Sequence, residues 1–169
     1  ALPISVAHTA IMGLLMLARK FPHWIDAQRR HAWEPLRGDS APHDLRGQTA
    51  IVVGLGNIGL AIADFCRTVG MHVIGIRRSP KRAEDRLDEI HPPSALMELL
   101  PRCQWLILAC PYTKETHHLV NAQTLAKLPR GAALINVARG RVVDEPVLIE
   151  ALRSGQVGCA YLEIGRAHV

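Results

Sequence analysis

The sequence has few aromatic residues and no cluster of basic side chains. Its 169 residues include two phenylalanines and two tyrosines, so few rings are available to stack on nucleic-acid bases. The formal net charge is +5, but the lysines and arginines are scattered along the chain. We therefore expect no nucleic-acid partner, and the positive charge is compatible with a small molecule rich in phosphate.

Closely spaced cysteines are also absent. The four cysteines lie far apart, without a C-x-x-C pair, at Cys66, Cys103, Cys110 and Cys159. Three of them fall inside segments that the sequence predicts as helix or strand. This pattern is typical of buried, reduced thiols in a cytoplasmic protein rather than of disulfides or a metal site. We predict no bound metal.

No hydrophobic run is long enough to cross a membrane. Residues 5–20 predict a helix with Ser5 as its N-cap, and residues 10–18 are apolar on every side. This run is far too short to span a bilayer and lacks the features of a signal peptide, so we expect no membrane contact. We predict instead a helix that is buried on all its faces, and a second subunit is one way to bury it.

Residues 49–59 read TAIVVGLGNIG, which is a strand-like run followed directly by a G-x-G-x-x-G turn. Gly54 allows the chain to turn tightly, Gly56 allows a pyrophosphate to approach the backbone, and Gly59 allows the next helix to pack close to the sheet. The stretch therefore predicts the phosphate-binding turn of a dinucleotide-binding fold.

The residues after the turn strengthen this prediction, because they form a helix with one apolar face. Apolar side chains recur from Ile58 at spacings of four, three and four residues, and Gly70 stands where a helix C-cap is expected. The first N–H groups of this helix, at Asn57 and Ile58, would face the bound phosphates.

The rest of the chain alternates between strand and helix patterns. Further strands are predicted at residues 71–76, 104–110, 132–136 and 157–162, and further helices are predicted to start at Ser94, Asn121 and Asp144. Residues 81–89 are strongly charged and predict a surface stretch. Short loops and the absence of an internal repeat indicate a single α/β domain with a doubly wound parallel sheet of the Rossmann type. Its core covers residues 48–163, behind a helical lead-in at residues 5–34.

Two arginines follow the second predicted strand. An acidic residue about 20 positions after the glycines usually binds the ribose of NAD, whereas an arginine there accommodates the 2′-phosphate of NADP. Arg77 and Arg78 occupy this place, and no acidic residue lies between Arg78 and Glu84. We predict that NADP is favoured, because a guanidinium matches phosphate geometry. The alternative is two solvated arginines at a strand end.

Four segments in the same order resemble those of a known family. They are residues 45–49, the Gly54 turn, residues 110–116 and residues 136–145. Together they resemble the D-isomer-specific 2-hydroxyacid dehydrogenases, which include formate, glycerate, D-lactate and phosphoglycerate dehydrogenases. The resemblance covers residues 5–163 and implies the NAD(P)-binding domain of an oxidoreductase. Such an enzyme transfers a hydride between NAD(P)H and the C2 carbon of a small 2-keto or 2-hydroxy acid. The first helix resembles one that packs across a homodimer interface.

The resemblance also implies roles for single residues. Arg139 matches the catalytic arginine that binds the substrate carboxylate and polarises its keto oxygen. Further positions match contacts to the cofactor, at Cys110, Pro111, Thr116, Val137 and Ala138.

Other family features do not occur in the sequence. The family's acid/base histidine and its glutamate partner lie downstream of the last predicted strand, and we assign this role to none of the nine histidines, including His117 and His118. Glu163 stands where the family has an aspartate that holds the nicotinamide carboxamide. Residues 164–169 depart from the family pattern and read like a translated sequencing adapter, so we interpret them as a non-native tail.

We therefore expect a fragment without its substrate domain, which binds the cofactor and has no activity by itself. The parent resembles glyoxylate and hydroxypyruvate reductases. The alternative is a non-catalytic module that senses NAD(P) as a dimer, since the family includes transcriptional corepressors.

Overall fold

The computed structural model describes residues 3–42, 44–80 and 86–163. The helices are α1 Pro3–Ala18, α2 Phe21–Arg29, α3 Asn57–Thr68, α4 Leu96–Leu99, α5 Ala122–Lys127 and α6 Glu145–Arg153. The strands are β1 Thr49–Val53, β2 His72–Ile76, β3 Glu89–His91, β4 Trp105–Leu108, β5 Ala132–Asn136 and β6 Val157–Leu162. Short 3-10 turns cover Gly38–Ser40, Pro93–Ala95, Leu100–Arg102 and Gly140–Val142. The proposed tail at 164–169 and most of the charged stretch, at 81–85, lie outside the described residues.

The six strands form one sheet in the order β3-β2-β1-β4-β5-β6, and all of them are parallel. This is the strand order of the Rossmann fold, so the predicted architecture is confirmed. Val53 pairs with both Ile76 and Leu108, and Asn136 pairs with both Leu108 and Leu162. The carboxyl ends of the central strands therefore meet at one edge of the sheet.

Helices cover both faces of the sheet, which explains why its central strands are apolar throughout. Val52 and Ile107 point into a core shared with α1 and α3, whereas Ile51 and Leu106 point into a core shared with α4, α5 and α6. Alternate residues of one strand thus pack against opposite helical layers, as the pleat of a strand requires.

Within this single chain, the first helix is not buried on every face as predicted, and its burial against a second subunit stays a prediction. Ala7, Ala10 and Leu14 form a buried stripe, while Ile4 is 61% and Met12 49% exposed. One stripe suffices because α1 contacts α3 and the β5–β6 edge of the sheet on one side only. The side that faces away from the sheet stays uncovered.

Two details of α1 also differ from the prediction or extend it. The helix begins at Pro3, so Ser5 lies inside it and is not its N-cap. Gly13 packs directly on the ring of Tyr161 in β6, where an added Cβ would lie 2.5 Å from the ring.

In the described part of the chain, no single helix is long and apolar enough to cross a membrane. Helices α1 and α2 reach that length and composition only together, across a 69° bend.

The edge strand β3 was not predicted, and it begins at the last residue of the predicted charged surface stretch 81–89. Its first residue, Glu89, accepts hydrogen bonds from Arg102 and lies 2.8 Å from His72 Nε2 and 2.9 Å from His91 Nε2. A strand of three half-buried residues, two of them polar, lacks the apolar pattern that identifies a strand in a sequence.

The predicted helix ends are correct in part. Asn121 caps α5 with its side chain in a capping box with Thr124, and Gly70 follows α3 with a φ of +85°. Asp144 precedes α6 but makes no side-chain cap. Ser94 is not an N-cap, because it lies inside the 3-10 turn that leads into α4.

Candidate functional site

The turn after β1 brings the chain against the end of β4. Gly54 has a φ of +96°, and an added Cβ would lie 2.6 Å from the Cα of Cys110. Its N–H donates to the carbonyl oxygen of Ile76 at 2.9 Å, which ties the turn to the end of β2. Only glycine combines this backbone angle with so close a neighbour.

The other two glycines of the motif differ in their surroundings. Gly56 caps α3 and is exposed, and nothing lies within 4 Å of an added Cβ, so the turn is open to a ligand at this point. Gly59 is buried, and an added Cβ would overlap the carbonyl oxygen of Gly54. Asn57 is exposed at the start of α3, and Ile58 packs partly into the core. The first N–H groups of this helix have no partner within the helix and are available to an anion.

A cavity of about 590 Å³ opens beside this turn. It is lined by the ends of β1 and β2 and by the segments that follow β1, β2, β3 and β4, at Val53, Gly54, Leu55, Gly56, Ile76, Arg77, Arg78, Ser79, Pro93, Leu96, Ala109, Cys110, Pro111, Thr113, Glu115, Thr116 and Leu119. Seven of these residues were predicted as cofactor contacts from the sequence, namely Gly54, Gly56, Arg77, Arg78, Cys110, Pro111 and Thr116. The structure thus brings these seven predicted residues together around one space, whereas the predicted contacts Asn57, Ile58 and Gly59 are not among the residues that line it.

The two arginines at the end of β2 differ in how they are held. Arg77 donates from Nε to the carbonyl oxygen of Ser79 at 2.9 Å and from Nη2 to that of Pro80 at 2.5 Å. Arg78 is 75% exposed, and its Nη2 lies 3.7 Å from a carboxylate oxygen of Glu115 on the opposite wall. One guanidinium is therefore fixed by its own loop, and the other faces solvent and an acidic partner.

Glu115 belongs to a loop that is held together by hydrogen bonds of Thr116. Thr116 Oγ1 donates to the carbonyl oxygen of Pro111 at 2.8 Å and accepts from the N–H of Thr113 at 2.7 Å. The Thr113 side chain lowers the pKa of Glu115 by hydrogen bonding, and the charge of Arg78 adds a smaller effect. Glu115 is therefore an anion on the cavity wall at neutral pH.

The cysteines of this fold are separate thiols, and three of the four are buried. All four are free, and Cys66, Cys103 and Cys110 are buried, which confirms the prediction of separate buried thiols for these three; Cys159 is half-buried. Burial raises the pKa of Cys66 and of Cys103 to about 12, and it also raises the pKa of Cys110. Cys110 therefore contributes an uncharged wall to the cavity rather than a nucleophile.

The second part of the predicted site follows β5. Val137 and Ala138 are each 4% exposed, and the N–H of Val137 donates to the carbonyl oxygen of Leu108 at 3.1 Å. Arg139 is exposed, and its Nη1 donates to the carbonyl oxygen of Ala138 at 2.7 Å. These three residues are not among those that line the cavity, but they lie on the same edge of the sheet.

The adjacent histidines belong to a surface chain of polar contacts. His117 Nδ1 lies 3.1 Å from the hydroxyl of Tyr112, and its ring stacks on that of His118 at 3.9 Å. His118 Nδ1 lies 3.6 Å from a carboxylate oxygen of Asp144. These contacts connect the loop after β4 with the start of α6. Among the described residues, no group of three or more histidine, cysteine or acidic side chains could hold a metal ion.

Pro93, Leu96 and Glu115 line the cavity but were not predicted from the sequence as site residues. Pro93 and Leu96 follow β3, so their place in the cavity could not be found without that strand. Glu115 lies inside the family-like segment 110–116, and its place in that segment was an available signal.

Comparison with known proteins agrees with this geometry. A family model described as "D-isomer specific 2-hydroxyacid dehydrogenase, NAD binding domain" matches residues 11–165. The glyoxylate reductase of Thermococcus gammatolerans is 38% identical over 134 residues, which are 79% of this chain and 39% of that protein. This chain spans about two fifths of the length of the first curated relatives that it matches.

Solved structures show the same relationship. A D-isomer specific 2-hydroxyacid dehydrogenase from Xanthobacter autotrophicus Py2, in complex with NADPH and MES, is 37% identical with a TM-score of 0.84. The match covers 99% of this chain and 68% of that one. A Granulicella formate dehydrogenase is 27% identical with a TM-score of 0.89, over 98% of this chain and 44% of the other. The chain therefore belongs to the D-isomer-specific 2-hydroxyacid dehydrogenase family, and it has the fold of that family's NAD-binding domain.

Proposed function

We propose that the protein carrying this chain is an NADPH-preferring oxidoreductase that reduces a small 2-keto acid such as glyoxylate or hydroxypyruvate. One observation supports this most directly: the glycine turn and the Arg139 loop lie on the same carboxyl edge of one parallel sheet. Ligands of open α/β sheets bind at this edge. Residues 1–163 are then the NAD(P)-binding domain, and the acid/base pair and the substrate domain lie outside them.

The cofactor end of the proposal uses the cavity and the start of α3. The open backbone at Gly56 and the first N–H groups of α3 would bind the pyrophosphate, while Cys110 and Pro111 provide walls beside the adenosine. Arg78, exposed at the rim of the cavity, would bind the 2′-phosphate. The NADPH bound to the Xanthobacter relative supports this preference.

The substrate end of the proposal uses Arg139. NADPH supplies the hydride when it is bound, and Val137 and Ala138 would contact its nicotinamide. The Arg139 guanidinium is a permanent cation with several N–H donors, so it can bind a carboxylate and polarise the adjacent keto oxygen. Its exposed position leaves it free to do so.

We further propose that two copies pair through α1 in the cytoplasm. The face of this helix that does not touch the sheet carries Ile4, Met12 and Leu15, which are 61%, 49% and 39% exposed. Exposed apolar groups of this kind on one helix face are typical of a subunit contact. The free thiols fit a reducing compartment.

Turnover of glyoxylate and hydroxypyruvate by the longest gene product that contains this chain tests the function. We expect NADPH to support a higher kcat/KM than NADH. Arg139→Lys should lower kcat/KM by about 10²-fold or more while NADPH binding stays the same, because lysine cannot form the paired hydrogen bonds. NADPH binding without turnover of either acid would favour the non-catalytic sensing module instead.

A further inference from the structure

Asn136 is a buried polar side chain at the base of the Arg139 loop. It is 2% exposed, and Thr124 is the other buried polar side chain in the part of the chain that the structure describes. An amide buried beside apolar strands is costly unless both of its ends are hydrogen bonded. Its partners therefore indicate what it does.

Both ends of the amide bond to the backbone of the Arg139 loop. Oδ1 accepts from the N–H of Ala138 at 2.9 Å, and Nδ2 donates to the carbonyl oxygen of Arg139 at 3.0 Å. The carbonyl oxygen of Ala138 lies between these two points and accepts from the Arg139 guanidinium at 2.7 Å. The Asn136 side chain thus holds the backbone from which the Arg139 side chain departs and to which its guanidinium is bonded.

Asn136 is itself held firmly by the sheet. It pairs with Leu108 of β4 on one side and with Leu162 of β6 on the other. Its carbonyl oxygen accepts from the N–H of Glu163 at 3.0 Å. A side chain fixed to the central part of the sheet can transmit that rigidity to the loop that follows.

We infer that Asn136 is the positioning residue of Arg139, and this inference rests on the function proposed above. It keeps the guanidinium at the place where the carboxylate and keto oxygen of the substrate must be bound. A displacement of about 1 Å in such a group can cost about 10²-fold in rate, even when the fold is intact. A purely structural role would affect stability and leave this step unchanged.

Three substitutions separate the two roles. Asn136→Leu keeps a branched side chain of similar length but loses both hydrogen bonds. Asn136→Ser provides a hydroxyl that forms a weaker version of the same turn. Asn121→Leu is the matched control, because both ends of the Asn121 amide also bond to the backbone, but at the start of α5. Its oxygen accepts from two N–H groups and its nitrogen donates to the carbonyl oxygen of His118.

The measurements are kcat and KM for glyoxylate at saturating NADPH, thermal stability, and binding of 2′,5′-ADP, which reports the cavity alone. We expect Asn136→Leu to lower kcat/KM by about 10²-fold, Asn136→Ser to recover part of this loss, and Asn121→Leu to keep kcat/KM while losing stability. Binding of 2′,5′-ADP should remain the same in all three. Equal kcat/KM for Asn136→Leu and Asn121→Leu would overturn the inference.

A failure of the proposed function gives a different result. If the unmodified protein reduces neither glyoxylate nor hydroxypyruvate, that function is wrong, and the Arg139 side chain is then followed in the isolated chain by NMR. Faster motion of its Nε–Hε group in Asn136→Leu than in Asn121→Leu would support the positioning role. Equal motion in the two variants would overturn it.

Discussion

At the scale of single residues, two glycines of one motif, Gly54 and Gly56, have different structural surroundings. Gly54 is fixed by its backbone angle and by the nearby backbone of Cys110, whereas Gly56 has an ordinary φ of −80° and open space around it. The motif pattern alone does not distinguish them. The structure thus identifies Gly54 as a glycine that the turn itself requires, whereas the space around Gly56 is compatible with its proposed role in ligand approach.

This difference predicts that two alanine substitutions affect stability differently. Gly54→Ala should lower the free energy of unfolding by about 1–3 kcal/mol through backbone strain and should weaken NADPH binding as well. Gly56→Ala should leave thermal stability unchanged and weaken NADPH binding, because its methyl group projects into the space for the phosphates. Denaturant unfolding and calorimetric titration measure the two effects. Equal stability of the two variants would contradict this division.

Glu115 predicts a residue-scale effect on cofactor choice. Its carboxylate lies 3.7 Å from Arg78 and would compete with the 2′-phosphate for that guanidinium. Because both groups are largely exposed, Glu115→Gln should strengthen NADPH binding by no more than about fivefold and should not change NADH binding. The gain should shrink at high salt. Glu150→Gln, which removes an exposed partner of Arg153 in α6, is the control and should change neither affinity.

Seven residues that line the cavity were predicted from the sequence, and they lie in short segments of the chain. Gly54 and Arg139 belong to short local patterns, and such patterns specify a turn or a loop without reference to the rest of the fold. Pro93 and Leu96 join the site only because β3 places them there, and Asn136 acts through a buried amide whose partners are not visible in a sequence. The sequence did not reveal which distant segments of the chain lie together in the fold, whereas the chemistry of their side chains was known.

At the scale of elements, α1 packs closely on β6 because Gly13 has no side chain where it meets the ring of Tyr161. Gly13→Ala would place a methyl group 2.5 Å from the Tyr161 ring. Overpacking of this kind costs about 1–3 kcal/mol, so the variant should unfold at lower denaturant concentration. Tyr161→Leu should remove the clash, and the double variant should lose less than the sum of the two single losses. Additive losses in this double-mutant cycle would show that the helix moves freely at this contact.

The edge strand β3 predicts a pH dependence. Hydrogen bonds from Arg102, His72 and His91 lower the pKa of Glu89 from its usual value of 4.5. Because the folded-state pKa is the lower one, Glu89 stabilises the fold fully above about pH 4.5, and this contribution declines as the pH falls further. Denaturant unfolding at a series of pH values should show a flatter decline for Glu89→Gln than for the unmodified chain. Parallel curves would count against this account.

Elements were predictable where they are long and apolar. Strands β1, β2, β4 and β5 carry apolar runs, because a parallel strand covered on both faces has no polar side. Strand β6 is also apolar in sequence, although only Val157 of its six residues is buried. β3 has three residues at an edge, and its polar side chains satisfy each other, so nothing in its pattern separates it from a loop.

At the scale of the whole molecule, the uncovered face of α1 predicts self-association. Met12→Glu should lower the dimer fraction in sedimentation experiments and remove the dependence of thermal stability on protein concentration. Ile149→Glu is the matched control, since Ile149 is 42% exposed on α6 at the opposite face of the sheet. A chain that sediments as a monomer before any substitution would overturn the proposed dimer.

The strand order has a consequence for how this molecule can change over evolutionary time. From β1 the chain passes to α3 on one face of the sheet, and from β4 it passes to α5 on the other face. The two chain paths diverge and leave a space beside Gly54. This space follows from the order in which the strands are connected, and no side chain of the core had to become smaller to form it. Side chains on its rim, such as Arg78 and Glu115, can therefore be exchanged without disturbing the sheet. New ligand preferences are accessible to this scaffold through single substitutions at the rim.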